Sequence, residues 1–457
     1  LGSNTLSYTS YANGERALYL EGRINYDRLL GKHRVGALFL YNQRNYQVAA
    51  GSSIDALPYR DQGLAGRVTY SYDDRYFIEG NFGYNGSENF ASGNRFGFFP
   101  AGAIGWIVSN EKFMGGVTHI IDMLKLKASI GQSGNDEIGG GRRFVYLPTI
   151  VGAYGTYWGT SHTYTGGTAV GEYANEDVSW EVSTKTNVGF ELSLFNALRL
   201  QADYFYERRK GIFVQRQSLP DYVGVSTMPW SNVGKMQNQG IDATLEFDKS
   251  FGEFFLSARG TFTYARNKQI DNDQPDYIDK YRNRNGQKYG QQFGLIALGL
   301  FKDETEIANS PSQFGTSYLK PGDIKYKDIN GDMKIDENDQ VPIGYPTTPE
   351  IIYGFGLTTG YKNFDFSFFF QGSARSSFWI DPTATAPFVS DSSLGGNNQR
   401  ALLKYWADSH WSEDNRDIFA LWPRLSNVAN ENNQQTSTWF MRDGSFLRLK
   451  SVEIGYS

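Results

Sequence analysis

Apolar and polar residues alternate with a period of two along most of this chain, the spacing of strands with one greasy and one wet face. Leu18, Leu20, Gly22, Ile24 and Tyr26 are small or apolar, and Tyr19, Glu21, Arg23 and Asn25 lie between them. Val188, Phe190, Leu192 and Leu194 interleave with Asn187, Gly189, Glu191 and Ser193. Leu198, Leu200, Ala202, Tyr204 and Tyr206 interleave with Arg199, Gln201, Asp203 and Glu207. The same alternation runs through Ile241–Phe247 and Phe364–Phe370. Thr184–Phe195 and Gly252–Tyr264 exceed the ~5–6 residues of a soluble strand and match the ~9–11 that cross a bilayer at a tilt. Around Lys450 the phase reverses, from Leu447 and Leu449 to Val452, Ile454 and Tyr456, which predicts a bulge or bend there.

The connections carry a second periodicity. Tight turns are expected near Gly31, Asp73–Asp74, Asn196–Ala197, Lys249–Gly252 and Lys362–Asn363, with a longer one over Ser109–Ile121. Long loops fall between them, at Gln43–Gln62, Gly86–Asn94, Gln132–Ser183, Arg209–Gln237, Arg266–Pro349 and Gly372–Gly444. Short turns on one rim and long loops on the other are the layout of outer-membrane barrels. The pattern predicts an all-β fold, a large antiparallel transmembrane β-barrel, with about fourteen strands against the ~5–6 of a mean sheet. Residues 1–457 are expected to be part of one such barrel with long extracellular loops. Aromatics at strand ends, such as Tyr70 and Tyr72, Tyr204 to Tyr206, and Phe262 and Tyr264, fit interfacial girdles, although Tyr and Phe favour strands in any case.

Composition narrows the alternatives. The 457 residues suffice for two or three soluble domains or one large barrel. Cysteine is absent, which excludes disulfides, thiolate zinc sites and a Cys nucleophile. A net charge of −5 without a basic block excludes a nucleic-acid binder. An apolar fraction of 40%, rich in aromatics, excludes disorder. No run approaches the ~18 apolar residues of a membrane helix, a test to which barrel strands are blind. The chain opens at Leu1 and stops at Ser457 inside a strand-like run, as a piece of a longer protein would.

Several stretches now point to a family. Tyr72–Gly105 (YDDRYFIEGNFGYNGSENFASGNRFGFFPAGAIG), Leu124–Asn135 (LKLKASIGQSGN) and Asn175–Leu194 (NEDVSWEVSTKTNVGFELSL) are followed by Asn232–Phe247 (NVGKMQNQGIDATLEF), Pro321–Gly344 (PGDIKYKDINGDMKIDENDQVPIG) and Asp443–Ser457 (DGSFLRLKSVEIGYS). In content and order they resemble the SusC/RagA group of TonB-dependent outer-membrane transporters. The resemblance implies a 22-stranded barrel in the bacterial outer membrane, embedded in lipid, with an N-terminal plug that these residues do not include. It implies import of oligosaccharides or oligopeptides under a SusD-like lipoprotein lid, driven by TonB, ExbB and ExbD. It also implies pairing of two barrels with two lids. A passive porin, a barrel enzyme and a soluble glycan-binding protein are the rival expectations.

Two groups of residues carry candidate chemistry. Asp328, Asn330, Asp332, Asp336 and Asp339 occupy positions 1, 3, 5, 9 and 12 of an EF-hand-like spacing, a candidate Ca2+ loop. Met333 stands where such a loop, and the related family segment, carry Gly, and Asp339 replaces the longer Glu; a solvated acidic turn is the alternative. Tyr154, Tyr157, Trp158 and Tyr164 in a Gly/Thr-rich loop, with Trp230 in the Arg209–Gln237 loop, are candidate cargo-binding residues. Flat rings stack on sugar faces or grip peptide side chains, and equally pack on one another or on a partner protein. Trp106 and Trp180 lie in family-like stretches and are expected to be structural. Ala401–Trp411, followed by Trp422-Pro423-Arg424-Leu425, predicts a short helix in a loop. His33, His119, His162 and His410 are scattered, and no nucleophile elbow or zinc motif occurs, so no enzyme and no required cofactor are expected.

Overall fold

A computed structural model describes residues 14–49, 57–139, 141–225, 227–315, 318–389 and 400–456. Leu1 and Ser457, and parts of the Gln43–Gln62 and Gly372–Gly444 loops, lie outside the described residues. The chain divides into two units, Leu1–Asp248 with Ile270–Pro275, and Lys249–Gln269 with Asp276–Ser457. Among the described residues no helix is long and apolar enough to cross a membrane.

Nine long strands belong to the first unit: β1 (Glu15–Leu30), β2 (His33–Val48), β3 (Tyr59–Tyr72), β4 (Tyr76–Ser87), β5 (Phe96–Ile107), β6 (Ile121–Asn135), β7 (Glu181–Leu194), β8 (Leu198–Gln215) and β9 (Trp230–Phe251). Each pairs antiparallel with the next. Four lie mainly in the second unit: β10 (Phe254–Asp271), whose last two residues belong to the first, β11 (Ile351–Tyr361), β12 (Phe364–Ala374) and β13 (Phe446–Tyr456), again paired in sequence. The thirteen stand close to the fourteen that the alternation predicts.

The register carries the alternation from strand to strand. Leu126, Phe190 and Ala202 share one row, and so do Ala128, Val188 and Tyr204. On the opposite face Lys125 stands beside Glu191 and Gln201, and Lys127 beside Gly189 and Asp203. In the second unit Ala258, Leu357, Phe368 and Val452 make one row, and Ser257, Thr358, Ser367 and Glu453 the neighbouring row on the other face. Aromatics close the apolar face at both ends: Phe254, Tyr361, Phe364 and Tyr456 beside the tight turns, Phe262 and Tyr353 toward the long loops. Phe369 pairs with Ser451 and Phe370 with Leu449, so Lys450 is the extra residue of a bulge, at the phase break read from the sequence.

The turns follow the expected parity. Asp73 and Asp74 have φ of 52° and 51°, and Phe195 and Asn196 have 56° and 49°. Two left-handed central residues match the right-handed twist of a hairpin, and Asp and Asn tolerate that region best. The second turn thus centres one residue earlier than expected. The loops between strands are shorter than predicted, because β2 runs on to Val48, β3 starts at Tyr59, and β8 and β9 extend to Gln215 and from Trp230. Pairing past the bilayer keeps each loop's base in register without needing the greasy alternation that marks the span.

Phe368 lies mid-strand on the apolar face. Phe368→Arg is expected to cost about 2–4 kcal/mol and to block insertion, whereas Ser367→Arg on the wet face is tolerated. Heat-modifiable gel migration reads both, and equal recovery of folded protein for the two variants would refute the facing.

Candidate functional site

The wet face is lined by paired charges. Lys127 Nζ lies 3.3 Å from Glu191 and 3.0 Å from Asp203, and Lys125 Nζ lies 3.4 Å from Glu191. Arg67 meets Glu79 at 2.5 Å, and Asn81 donates to the same carboxylate at 2.7 Å. Nearer the loops, Arg209 bridges Glu181 and Glu207, and Ser183 donates to Glu207. Such a face suits a hydrated passage for polar solutes.

The long β6–β7 connection builds a separate hairpin from Ile150–Trp158 and Thr163–Val170. It carries four of the five aromatics singled out from the sequence. Tyr154 is 99% exposed, and Tyr157, Trp158 and Tyr164 are also exposed. Tyr157 and Tyr164 face each other across the strands with ring centroids 5.2 Å apart, and the Gly155 N–H donates to the Tyr164 hydroxyl. Trp230 does not join them. It stacks on Phe213 at 5.4 Å and 18°, carries the Arg142 guanidinium 4.2 Å from its ring, and packs on a core of Phe90, Ile138, Val145 and Val178. These contacts place Trp230 in the packing of the loop base, apart from the exposed rings. Trp180 joins the same core, and its indole donates to the Arg95 carbonyl; Trp106 donates to Glu111. Both are structural, as expected. Arg143, which the sequence does not single out, clamps this loop. It is buried, donates to the Leu57 and Pro58 carbonyls and to Glu88, and lies 3.6 Å from the Tyr59 ring.

In the second unit the β10–β11 and β12–β13 connections fold on each other. Leu295, Leu300, Ile324, Tyr326, Trp406, Trp422 and Phe440 form a fully buried core. The predicted helix is present as Lys404–Asp408, with Trp406 inserted into that core. Beside it runs a buried polar chain. Asp323 is completely buried and receives Arg424 at 2.8 Å, the Asn430 and Asn433 amides at 2.9 Å each, and the Lys320 N–H. Asn433 accepts from the Ile324 N–H, and Tyr326 donates to the Asn432 carbonyl. Burial pushes the Tyr326 hydroxyl pKa far up, so it stays a donor. Gly322 sits at φ +88° with the Trp411 ring where a Cβ would be, so only glycine fits. A polar cavity of about 600 Å³ opens beside this network, lined by Lys302, Glu304, Lys320, His410, Glu413 and Arg416. Asp323 and Arg424 lie in the PGDIKY and WPRL stretches already noted, which is the signal that could have found them.

The acidic loop is folded around its own backbone. Asp328 accepts from the Gly331 and Met333 N–H groups, Asn330 from Asp332, and Asp332 from Lys334. Asp336 accepts from Asn338 and pairs with Lys334, which holds its carboxyl below the usual range. Asp339 is fully buried and caps Ile329 and Asp336. Met333 takes φ +64°, the left-handed region that the sequence spacing reserves for glycine. Among the described residues no three His, Cys, Asp or Glu side chains gather to hold a metal, and oxygens of these five residues serve as caps and turn acceptors.

A sequence model described as TonB dependent receptor-like, beta-barrel matches residues 2–398. The chain belongs to this TonB-dependent receptor β-barrel family. It is 26% identical over its whole length to TonB-dependent receptor P3 of Formosa agariphila, of which it covers 45%. It is 26% identical over 86% of its length to TonB-dependent receptor SusC of Bacteroides thetaiotaomicron, covering 37% of that protein. The chain therefore spans about half or less of the curated relatives it matches. The RagAB peptide transporter shares its fold, with a TM-score of 0.70 at 18% identity over 97% of this chain and 49% of that one. This is a SusC-like, TonB-dependent receptor strand wall of the outer membrane.

Breaking the buried pair tests the loop core. Asp323→Asn leaves Arg424 with an uncompensated charge and is expected to cost about 3–5 kcal/mol locally. Hydrogen exchange should then lose protection at Ile324 and Tyr326 while β10–β13 keep theirs; unchanged protection would refute the role.

Proposed function

We propose that this chain is the barrel portion of an importer that moves oligosaccharides or oligopeptides across the outer membrane. The carrying observation is the membership in the TonB-dependent receptor barrel family, joined to a charge-lined wet face with large folded loops on one rim. In this reading a plug encoded outside these residues fills the lumen, and TonB with ExbB and ExbD supplies the energy. A SusD-like lipoprotein lids the loops, and the complex pairs two barrels with two lids. The likeness to SusC and to the RagAB fold supports that arrangement. In this reading the chain serves transport and not catalysis, and no cofactor is required.

The exposed hairpin of Tyr154, Tyr157, Trp158 and Tyr164 is the cargo contact. Its rings offer apolar faces with hydroxyl and indole edges, which suit sugars and peptide side chains alike. Mass spectrometry of the full-length protein from detergent-solubilised outer membranes tests the whole assembly. A stoichiometric lipoprotein with retained saccharide or peptide supports import, and a bare barrel supports a passive porin or a barrel enzyme instead. For the hairpin, Trp158→Ala is expected to weaken cargo binding about three- to tenfold, the ~0.5–1.5 kcal/mol of one ring contact, with assembly unchanged. Unaltered affinity would return these rings to loop packing.

A further inference from the structure

The apolar face of β8 ends in a pattern that the transport reading does not use. Along that face run Leu198, Leu200, Ala202, Tyr204 and Tyr206, and the next two positions are Arg208 and Lys210. All belong to one alternating set, because the β8–β9 and β7–β8 registers stay unbroken through Lys210. Tyr204 stands beside Val188 and Ile241, and Tyr206 beside Thr186 and Gln239, the aromatic border of the lipid-facing band. Lys210 lies four residues farther on, about 13 Å along the strand, on the rim that carries the long loops.

At that level the charges are placed against their own interest. Lys210 stands directly opposite Lys235 on β9, with Arg208 one row below beside Thr184 and Gln237. Like charges directly opposed across a ladder are destabilising. Asp271 meets Lys235 at 3.1 Å, and no carboxylate among the described residues pairs with Arg208 or Lys210. Three cations and one carboxylate therefore share the patch. The second unit repeats the succession by itself. On β10, Phe262 and Tyr264 are followed on the same face by Arg266 and Lys268, both exposed, and Arg375 lies over the Tyr264 ring. There the buried Glu350 serves three cations, Arg266, Lys288 and Arg375.

We propose that Arg208, Lys210 and Lys235 form a binding site for the anionic phosphate headgroup of an outer-leaflet lipid. The long loops mark the outer side of the membrane, and the tyrosine border fixes the depth at which headgroups lie. A phosphate set between Lys210 and Lys235 turns their repulsion into attraction to a shared anion. Arg208 adds a planar donor fork suited to phosphate oxygens. The lumen-facing residues of the same strand, Asp203, Glu207 and Arg209, are already paired among themselves and their neighbours, so the surplus positive charge is confined to the lipid side.

The test uses the full-length protein in nanodiscs of phosphatidylcholine, with and without phosphatidylglycerol, and the variant Arg208→Gln/Lys210→Gln/Lys235→Gln. Native mass spectrometry should detect phosphatidylglycerol retained by the parent, and thermal unfolding should shift upward when that lipid is present. The triple variant should lose both effects and still migrate as a folded barrel. Lys185→Gln, whose side chain lies on the wet face, should keep both. Equal retention by parent and triple variant would overturn the proposal. Inorganic phosphate in phosphatidylcholine discs separates the sources: a full shift from the free ion alone would assign the patch to soluble phosphate and overturn the lipid assignment.

Discussion

A peptide group in hydrocarbon has no water to turn to, so every backbone N–H and C=O that crosses the bilayer must be met by the neighbouring strand. That demand sets the rest of the structure. It fixes long antiparallel strands in chain order, because a hairpin is the shortest way to give each strand a partner. It forbids register slips inside the span, since a shift of one residue would turn every side chain to the wrong face. The irregularities obey this rule. The β8–β9 register breaks only beyond Lys210, past the aromatic border. The bulge at Lys450 sits where the side-chain pattern itself changes phase, so the ladder and the faces are corrected by the same extra residue.

Outside the bilayer the constraint changes, and so does the way the chain is held. Loop backbones there reach water, and packing must be made from side chains. The second unit solves this with a tryptophan-rich core and a buried polar chain centred on Asp323. Three amide and guanidinium side chains and one backbone N–H converge on that single carboxylate, which ties the 320–326 segment to 424–433. Arg143 does the same for the first unit with two carbonyls, one carboxylate and two aromatic rings. Both devices join segments remote in sequence at the cost of a buried charge, which tolerates few alternative arrangements.

The difference between these two regimes explains what could be read from the chain beforehand. Period-two alternation is local, so strand faces, turn parity and the Lys450 bulge were legible from neighbouring residues alone. Strand ends were not, because β2, β3, β8 and β9 continue past the membrane, where nothing requires a greasy face. The clustering of Tyr154, Tyr157, Trp158 and Tyr164 is legible in the sequence, whereas their hairpin is not, because Gly and Thr there read as a loop. Trp230 shares their residue type, but its partners, Phe213 across the same hairpin and Arg142 from a remote loop, are set by packing that residue type does not reveal. In the acidic loop the spacing leaves a cation site and a capped turn both open, and the folded loop puts Asp328 and Asp339 against nearby backbone N–H groups. Which use an oxygen is put to depends on backbone geometry that spacing does not encode.

Charge placement completes the physical picture. The net charge of −5 conceals a sorted distribution. On the wet face Lys125 and Lys127 are interleaved with Glu191 and Asp203, so the fields largely cancel within a few ångströms. A surface of this kind is well hydrated and carries little net field of either sign. In the import reading, discrimination between cargoes rests on the loops, where exposed rings are presented on folded supports. On that reading, insertion into the membrane is carried by the strands and recognition of cargo by the loops, two separate sets of residues.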